Sequence, residues 1–377
     1  MQTPAGESSH PETLAGLFFQ MTTMTMHNLF TPLTAGALKL PNRIIMAPLT
    51  RARAGVTRTP NALMAEYYRQ RASAGLIISE ATAVDPMGVG YADTPGIWSE
   101  DQIRGWRAVT ETVHAEGGRM VLQLWHVGRI SDPMFLDGKL PVAPTAIAAP
   151  GHVSLVRPKK PFVTPRALET SEIPGIIEAY RRGAVNALRA GFDGVELHGA
   201  NGYLLDQFLQ DSSNHRTDEY GGSIENRARL LLETTDVAIS VWGADRVGVH
   251  LAPRGDVYEG DSDPAATFGY VARELGRRRI AFLCARESLG ANRLGPALKK
   301  AFGGVYFANE GFTQETAEQV IAAGEADAVA FGKAFIANPD LPARFAATAA
   351  LNEPNPATFY APSFEGYTDY PALSVAL

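Results

Sequence analysis

The chain has a single cysteine, Cys284, in 377 residues. One thiol cannot close an internal disulfide. That excludes a disulfide-stapled secreted scaffold and favours a reducing, cytoplasmic setting. Cys284 itself reads as a small buried hydrophobe. Long apolar runs are missing too: no stretch approaches the roughly 18 residues of a membrane span, so no membrane partner is expected. Nor is one sign of charge in excess. Lysine plus arginine total 34 and aspartate plus glutamate 40, a net −6, which offers no footprint for nucleic acid. Charged residues make up only 20% and hydrophobic ones 45%, so a large core is available and wholesale disorder is excluded. Length alone allows two or three domains of about 150 residues, although α/β barrels run longer as single units.

The first 26 residues stand apart. No lysine or arginine precedes the short apolar patch Leu14 to Phe19, so a secretory n-region is missing. Met21, Met24 and Met26 are each a possible start. Residues 1–26 are expected to be a disordered or misassigned extension, followed by one unit over 27–377.

From Asn42 short apolar runs rich in β-branched residues alternate with segments of helical period. The runs begin at Ile44, Leu76, Met120, Gly194, Arg246, Ile280, Gly304 and Ala328. Helices are expected over Asn61–Ser73, Ser99–Glu116, from Ser171 with Pro174 in the first turn, and Ile224–Val241. Others are expected over Pro264–Arg277, Gly295–Phe302, Thr313–Ala323 and Pro339–Ala349. Ser223 can cap the fourth, but Asn226 stands where a capping box wants Glu or Gln. Eight strands alternating with eight helices predict a (β/α)₈ barrel. A doubly wound sheet would also alternate, but Gly88-Val89-Gly90 lacks the third glycine of a dinucleotide fingerprint. The long Pro/Gly-rich excursion Gly128 to Pro165, after strand three, is expected to be a lid.

Barrel chemistry gathers at the C-terminal strand ends. Glu310-Gly311 and Gly332-Lys333 end strands seven and eight, where backbone N–H groups and one lysine can hold a phosphate; Glu310 counts against the site unless its side chain points away. His198 and Asn201 end strand four as neutral donors able to hold one carbonyl or nitro oxygen, with Tyr203 placed to deliver a proton. The bland alternative is a backbone-satisfied histidine and an Asn-Gly turn. His126, His198 and His250 also allow a metal-dependent hydrolase. Against that, there is no His-x-His after strand one and no acidic ligand ending strand eight. Uncharged Thr50 and Gln123 suit a planar, hydrogen-bonding cofactor better.

These residues lie in a longer series of motifs. They include Met46-Ala47-Pro48-Leu49-Thr50-Arg51, Tyr67 to Ser73, Gln123-Leu124-Trp125-His126, His198 to Tyr203, Tyr220-Gly221-Gly222-Ser223, Phe335 to Asp340 and Gly366 to Pro371. On them the chain, from about Leu29 to Leu373, resembles the Old Yellow Enzyme family of flavin-dependent ene-reductases, nearest its bacterial N-ethylmaleimide, pentaerythritol tetranitrate and glycerol trinitrate reductase branch. The resemblance implies FMN across the barrel mouth, reduced by NADPH or NADH, which then leaves. An activated alkene (enone, maleimide or nitroalkene) or a nitrate ester enters over the same face. It further implies that His198 and Asn201 bind the substrate oxygen, that hydride reaches the β-carbon, and that Tyr203 protonates the α-carbon. It assigns Thr50 to flavin O4. It places Ala47, Pro48, Leu49 and Ala81 against the ring, and Gln123 at the pyrimidine edge. Gly311, Gly332 and Lys333, with the Glu310 backbone, fall at the phosphate. Tyr91, Trp125 and Tyr360 line the substrate pocket, and His126 is structural. A monomer or homodimer acting on a small molecule is expected.

The chain departs from that family at His250, where an arginine normally stands beside flavin N1 and O2. Histidine is only partly charged near neutral pH, so a more pH-dependent flavin potential or FMN affinity is expected. Arg254 is a candidate replacement. Lys333 stands for the commoner arginine at the phosphate. Ala361-Pro362-Ser363 interrupts a stretch usually rich in glycine. A flavin-binding barrel with weak turnover is the alternative these departures raise.

Overall fold

The computed structural model describes residues 28–254 and 260–373; the expectation for residues 1–26 lies outside them. Eight parallel strands close into a barrel. They are β1 (Ile44–Met46), β2 (Leu76–Ile78), β3 (Met120–Trp125), β4 (Gly194–Gly199), β5 (Val247–Leu251), β6 (Phe282–Arg286), β7 (Tyr306–Asn309) and β8 (Ala328–Phe331). Each pairs with the next, and β8 returns to β1 through Val329 opposite Ile44. An antiparallel hairpin, Leu33–Ala35 with Leu38–Leu40, precedes the barrel.

Alternation divides each strand between two cores. Ile45, Leu76, Ile78, Val121, Phe282, Cys284, Phe307 and Ala328 fill the barrel interior. Phe282 and Phe307 stack there with centroids 4.6 Å apart, worth roughly 0.5–1.5 kcal/mol beyond their burial. Gly248 makes room for them: a Cβ on it would lie 2.2 Å from the Phe282 ring. The opposite strand faces carry Ile44, Ile77, Leu122, Leu197 and Val249 into the layer beneath the helices.

Those helices are α1 (Ala62–Arg69), α2 (Glu100–Ala115), α3 (Ile173–Arg189), α4 (Leu204–Leu209), α5 (Ile224–Trp242), α6 (Pro264–Arg278), α7 (Gly295–Phe302), α8 (Gln314–Ala322), α9 (Lys333–Ala337) and α10 (Leu341–Ala346). Their starts follow local chemistry. Ser99 and Gln102 close a capping box on α2, Ser223 accepts from the Asn226 backbone on α5, and Thr313 and Thr316 cap α8 reciprocally. Two expectations need correction. Strand six runs to Arg286 rather than stopping at Cys284, and the predicted helix over 339–349 shortens to α10, Leu341–Ala346, with a further helix, α9, over Lys333–Ala337 ahead of it. Among the described residues no helix is long and apolar enough to cross a membrane.

The segment after β3 folds over the barrel mouth. Val127, Ile130, Ala149, Val153 and Phe162 pack on Ala81 and Trp125, so the lid has its own small core. His126 begins it, fully buried, with Nδ1 accepting from Gly128 N at 3.1 Å. That bond needs the neutral ring, and burial pushes its pKa down to about 4. The unfolded histidine takes up its proton near pH 6.5 and the folded one does not. Stability from His126 is therefore complete above pH 6.5 and is lost as pH falls toward 4, by about 3 kcal/mol. Glu80 and Asp206, both buried and raised to about 7, act with the opposite sign. We expect His126→Asn, whose Oδ1 can still accept from Gly128, to flatten the acid loss in urea midpoints between pH 7 and 4. Equal slopes for variant and wild type would refute it.

The chain's C-terminal segment is tied to the end of β1. Arg51, fully buried, donates to Gly366 O at 2.7 Å and Phe359 O at 3.1 Å. Arg53 donates to Phe359 O and Thr358 O, and its guanidinium lies 4.3 Å from the Tyr367 ring centroid. Tyr367 in turn stacks on Tyr67 of α1 at 4.0 Å. These contacts bring Tyr360 to the rim of the barrel mouth.

Candidate active site

A cavity of about 870 Å³ opens at the C-terminal end of the barrel, within the range of ligand sites. Residues at the ends of β1, β4, β5, β7 and β8 contribute to it. Ala47, Pro48, Leu49 and Thr50 follow β1, His198, Asn201 and Tyr203 follow or end β4, and His250 lies on β5. Glu310 and Gly311 follow β7, and Gly332 and Lys333 lie between β8 and α9. Tyr91 and Tyr360 border it, and the lid adds His152, Ser154 and Leu155.

Three expected residues are not among the lining. Gln123 faces the interior one rung lower, where Nε2 donates to Glu196 Oε2 at 2.8 Å. Trp125 lies beneath the wall, stacked 5.4 Å from Tyr91 and edge-on to Tyr203 at 5.0 Å. Ala81 packs with Trp125 under the lid. Arg254 turns away, with Nε 3.0 Å from Glu287 Oε1 and Nη2 bonded to Ser288 O.

His198 and His250 are neighbours across β4 and β5, in register and with rings 5.8 Å apart. Burial, with Arg286 and His250 nearby, holds His198 well below the usual histidine range, so it is neutral at pH 7. Tyr203 Oη lies 2.8 Å from Tyr91 Oη, and its ring sits edge-on to His198 at 4.9 Å. Asn201 adopts φ +59°, a left-handed conformation that asparagine tolerates.

On the cavity floor both ring nitrogens of His250 and Nδ1 of His198 have no protein partner, and below them Oε1 of buried Glu196 is likewise unpaired. The His250 to Glu196 separation is 3.6 Å, too long for a hydrogen bond. Orphaned buried donors and acceptors are costly and point to a polar ligand. Gly311, at φ +77°, has open space where a Cβ would project. A flat, hydrogen-bonding group with a phosphate tail fits this wall. Glu196, His250 and Cys284 also bring one donor atom each within 4.8 Å of one another, but Glu196 Oε2 is already engaged by Gln123.

Arg286 was missed by sequence reasoning. From the last rung of β6 it reaches both Asn201 and Glu310. A charged pair, Arg286-Glu287, looks like the start of a loop, and only strand parity with Phe282 and Cys284 signals that it points inward.

Comparison with known proteins gives a consistent picture. Residues 28–352 match the NADH:flavin oxidoreductase / NADH oxidase family. A probable flavin mononucleotide-dependent alkene reductase of Leishmania infantum is 44% identical over 91% of this chain and 96% of its own. The solved Old Yellow Enzyme homologue of Zymomonas mobilis superposes with TM-score 0.89 at 46% identity, covering 92% and 99% of the two chains. Morphinone reductase in complex with tetrahydroNAD gives 0.88 and 50%, covering 92% and 98%.

Proposed function

The chain belongs to the NADH:flavin oxidoreductase / NADH oxidase family, and from that premise we propose that it reduces alkenes activated by a carbonyl or nitro group, with the four residues His198, Asn201, Tyr203 and Tyr91 doing the work at the substrate. It is an FMN-dependent ene-reductase of the Old Yellow Enzyme type. FMN, when bound, carries hydride from NADPH or NADH to the alkene. Ala47 to Thr50 and His250 would hold the ring, and Gly311, Gly332, Lys333 and the Glu310 backbone the phosphate. The unpaired nitrogens of His250 carry this reading of the cofactor wall.

The substrate oxygen gains negative charge as hydride reaches the β-carbon. Neutral His198 offers one N–H and Asn201 its amide, both fixed before the reaction, so they stabilise the transition state more than the ground state. Tyr203 gives its phenolic proton to the α-carbon. Tyr91, bonded to Tyr203, stabilises the phenolate left behind and relays to it a proton taken up from solvent at the cavity mouth. The alkene thus gains hydride and proton, and the nicotinamide is oxidised. The lid residues His152 and Leu155 exclude water over this step. A lone buried cysteine and a nicotinamide reductant suit the cytoplasm, the setting we assign.

Anaerobic mixing of pre-reduced enzyme with 2-cyclohexenone tests the reading. Flavin absorbance should return in one turnover, and Tyr203→Phe should slow that phase by roughly 10²–10⁴-fold while reduction by NADPH stays normal. No reoxidation by the wild type would overturn the activity; an undiminished Tyr203→Phe rate would overturn the proton donor.

A further inference from the structure

The donor pair has a weakness. An asparagine amide presents a donor at one end and an acceptor at the other, and a half-turn about χ2 exchanges them. An acceptor facing the substrate oxygen would repel the charge that develops there. Something must fix which end of Asn201 faces the cavity.

Arg286 Nη1 donates to Asn201 Oδ1 at 3.0 Å. A guanidinium has only donors, so the amide end toward it has to be the oxygen. Nδ2 is then the end left for a ligand. Arg286 is itself held from the far side, where Nη2 meets Glu310 Oε1 at 2.8 Å. The side chains of this pair are only 24% and 28% exposed. Asn201 and Glu310 both sit in left-handed backbone, at φ +59° and φ +91°. For Glu310 that conformation is strained, and such strain persists only where surrounding contacts impose it. One guanidinium on β6 therefore spans the turns after β4 and β7.

We propose that Arg286 is a positioning residue, held by Glu310, that orients the Asn201 amide with its donor end toward the substrate oxygen. This rests on the reading of Asn201 as a donor to that oxygen. No step of the reaction passes through Arg286.

The test uses FMN-loaded enzyme and two unreactive ligands, cyclohexanone and cyclohexanol, with binding followed by calorimetry or by the flavin spectrum. Cyclohexanone only accepts a hydrogen bond; cyclohexanol can also donate. In Arg286→Gln the neighbour of Asn201 can offer either end of its own amide, so Asn201 is free to turn. Cyclohexanone affinity should fall about tenfold or more while cyclohexanol affinity changes far less. A purely structural role would weaken both alike and overturns the proposal. Arg286→Lys, which keeps a donor-only group, should restore most of the ketone preference and serves if Arg286→Gln folds poorly. A cycle with Asn201→Ala completes the test in kcat/KM for 2-cyclohexenone. Removing Arg286 in the Asn201→Ala background should have little further effect, because its target is gone. Independent, multiplying losses overturn the proposal and leave the activity intact. A silent Asn201→Ala overturns the donor reading itself, and the two failures are thereby told apart.

Discussion

Replacing His198 and Asn201 together by alanine is expected to leave an enzyme that is yellow, folded and almost unable to reduce an enone. Each lost donor at a developing oxyanion costs on the order of 10²–10³-fold in rate. The two act on one oxygen, so the combined loss should exceed either single loss and fall short of their product. The site geometry explains the size. His198 is buried and neutral, and Asn201 is fixed by its backbone turn and by Arg286. Water cannot replace two pre-aimed donors without reorganising, and the lid limits its access. The quantity to measure is the rate at which 2-cyclohexenone reoxidises the reduced double variant. Retained FMN absorbance and an unchanged melting temperature serve as controls. A rate within tenfold of wild type would show that the oxygen is held elsewhere.

The largest effect on stability should come from Arg71→Ala. Arg71 is fully buried on the turn after α1. Nε donates to Phe335 O at 2.8 Å, Nη1 to Tyr67 O at 2.8 Å and Nη2 to Ile336 O at 2.9 Å. Its guanidinium carbon lies 3.7 Å from the Tyr67 ring centroid, so the charge is met by carbonyls and an aromatic face rather than by a carboxylate. Alanine leaves Phe335 and Ile336 carbonyls unbonded at about 1–3 kcal/mol each and opens a cavity besides. We expect about 4 kcal/mol from urea titration, with a smaller loss for Arg71→Lys, which keeps charge but not the three-way fork. The two carbonyls belong to α9, which starts at Lys333 on the cavity wall, so FMN affinity should fall in parallel. A loss below about 1 kcal/mol would mean that these carbonyls find water or that the desolvated cation was itself a burden.

The barrel was legible because its strands are short runs of Ile, Val, Leu and Phe between segments of helical period. The strand ends then showed where chemistry would gather. What escaped has specific causes. Helix α4 is six residues, all buried, so it has no polar face to reveal a period. The hairpin before β1 has three-residue strands, too short to alternate visibly. Gln123 and Trp125 share inward parity with the site, yet a rung of height separates Gln123 from the cavity, and height depends on the stagger between strands, which no single strand encodes. Arg286 and Asn201 lie 85 positions apart. Their contact exists only once β4, β5 and β6 pair.

The tie between Arg51 and the C-terminal segment bears on how the protein is made. Gly366 lies 315 residues after Arg51, and β1 cannot find β8 until Val329 has been synthesised. At roughly 5–20 residues per second, a ribosome needs about 15–60 s to cover that distance. During that interval Arg51 and Arg53 lack the C-terminal carbonyls that they finally bond, and the open edge of β1 lacks β8. The rim that carries Tyr360 is therefore among the last parts of the molecule to form, and a nascent chain stalled before residue 366 carries a nearly complete barrel with an unfinished mouth.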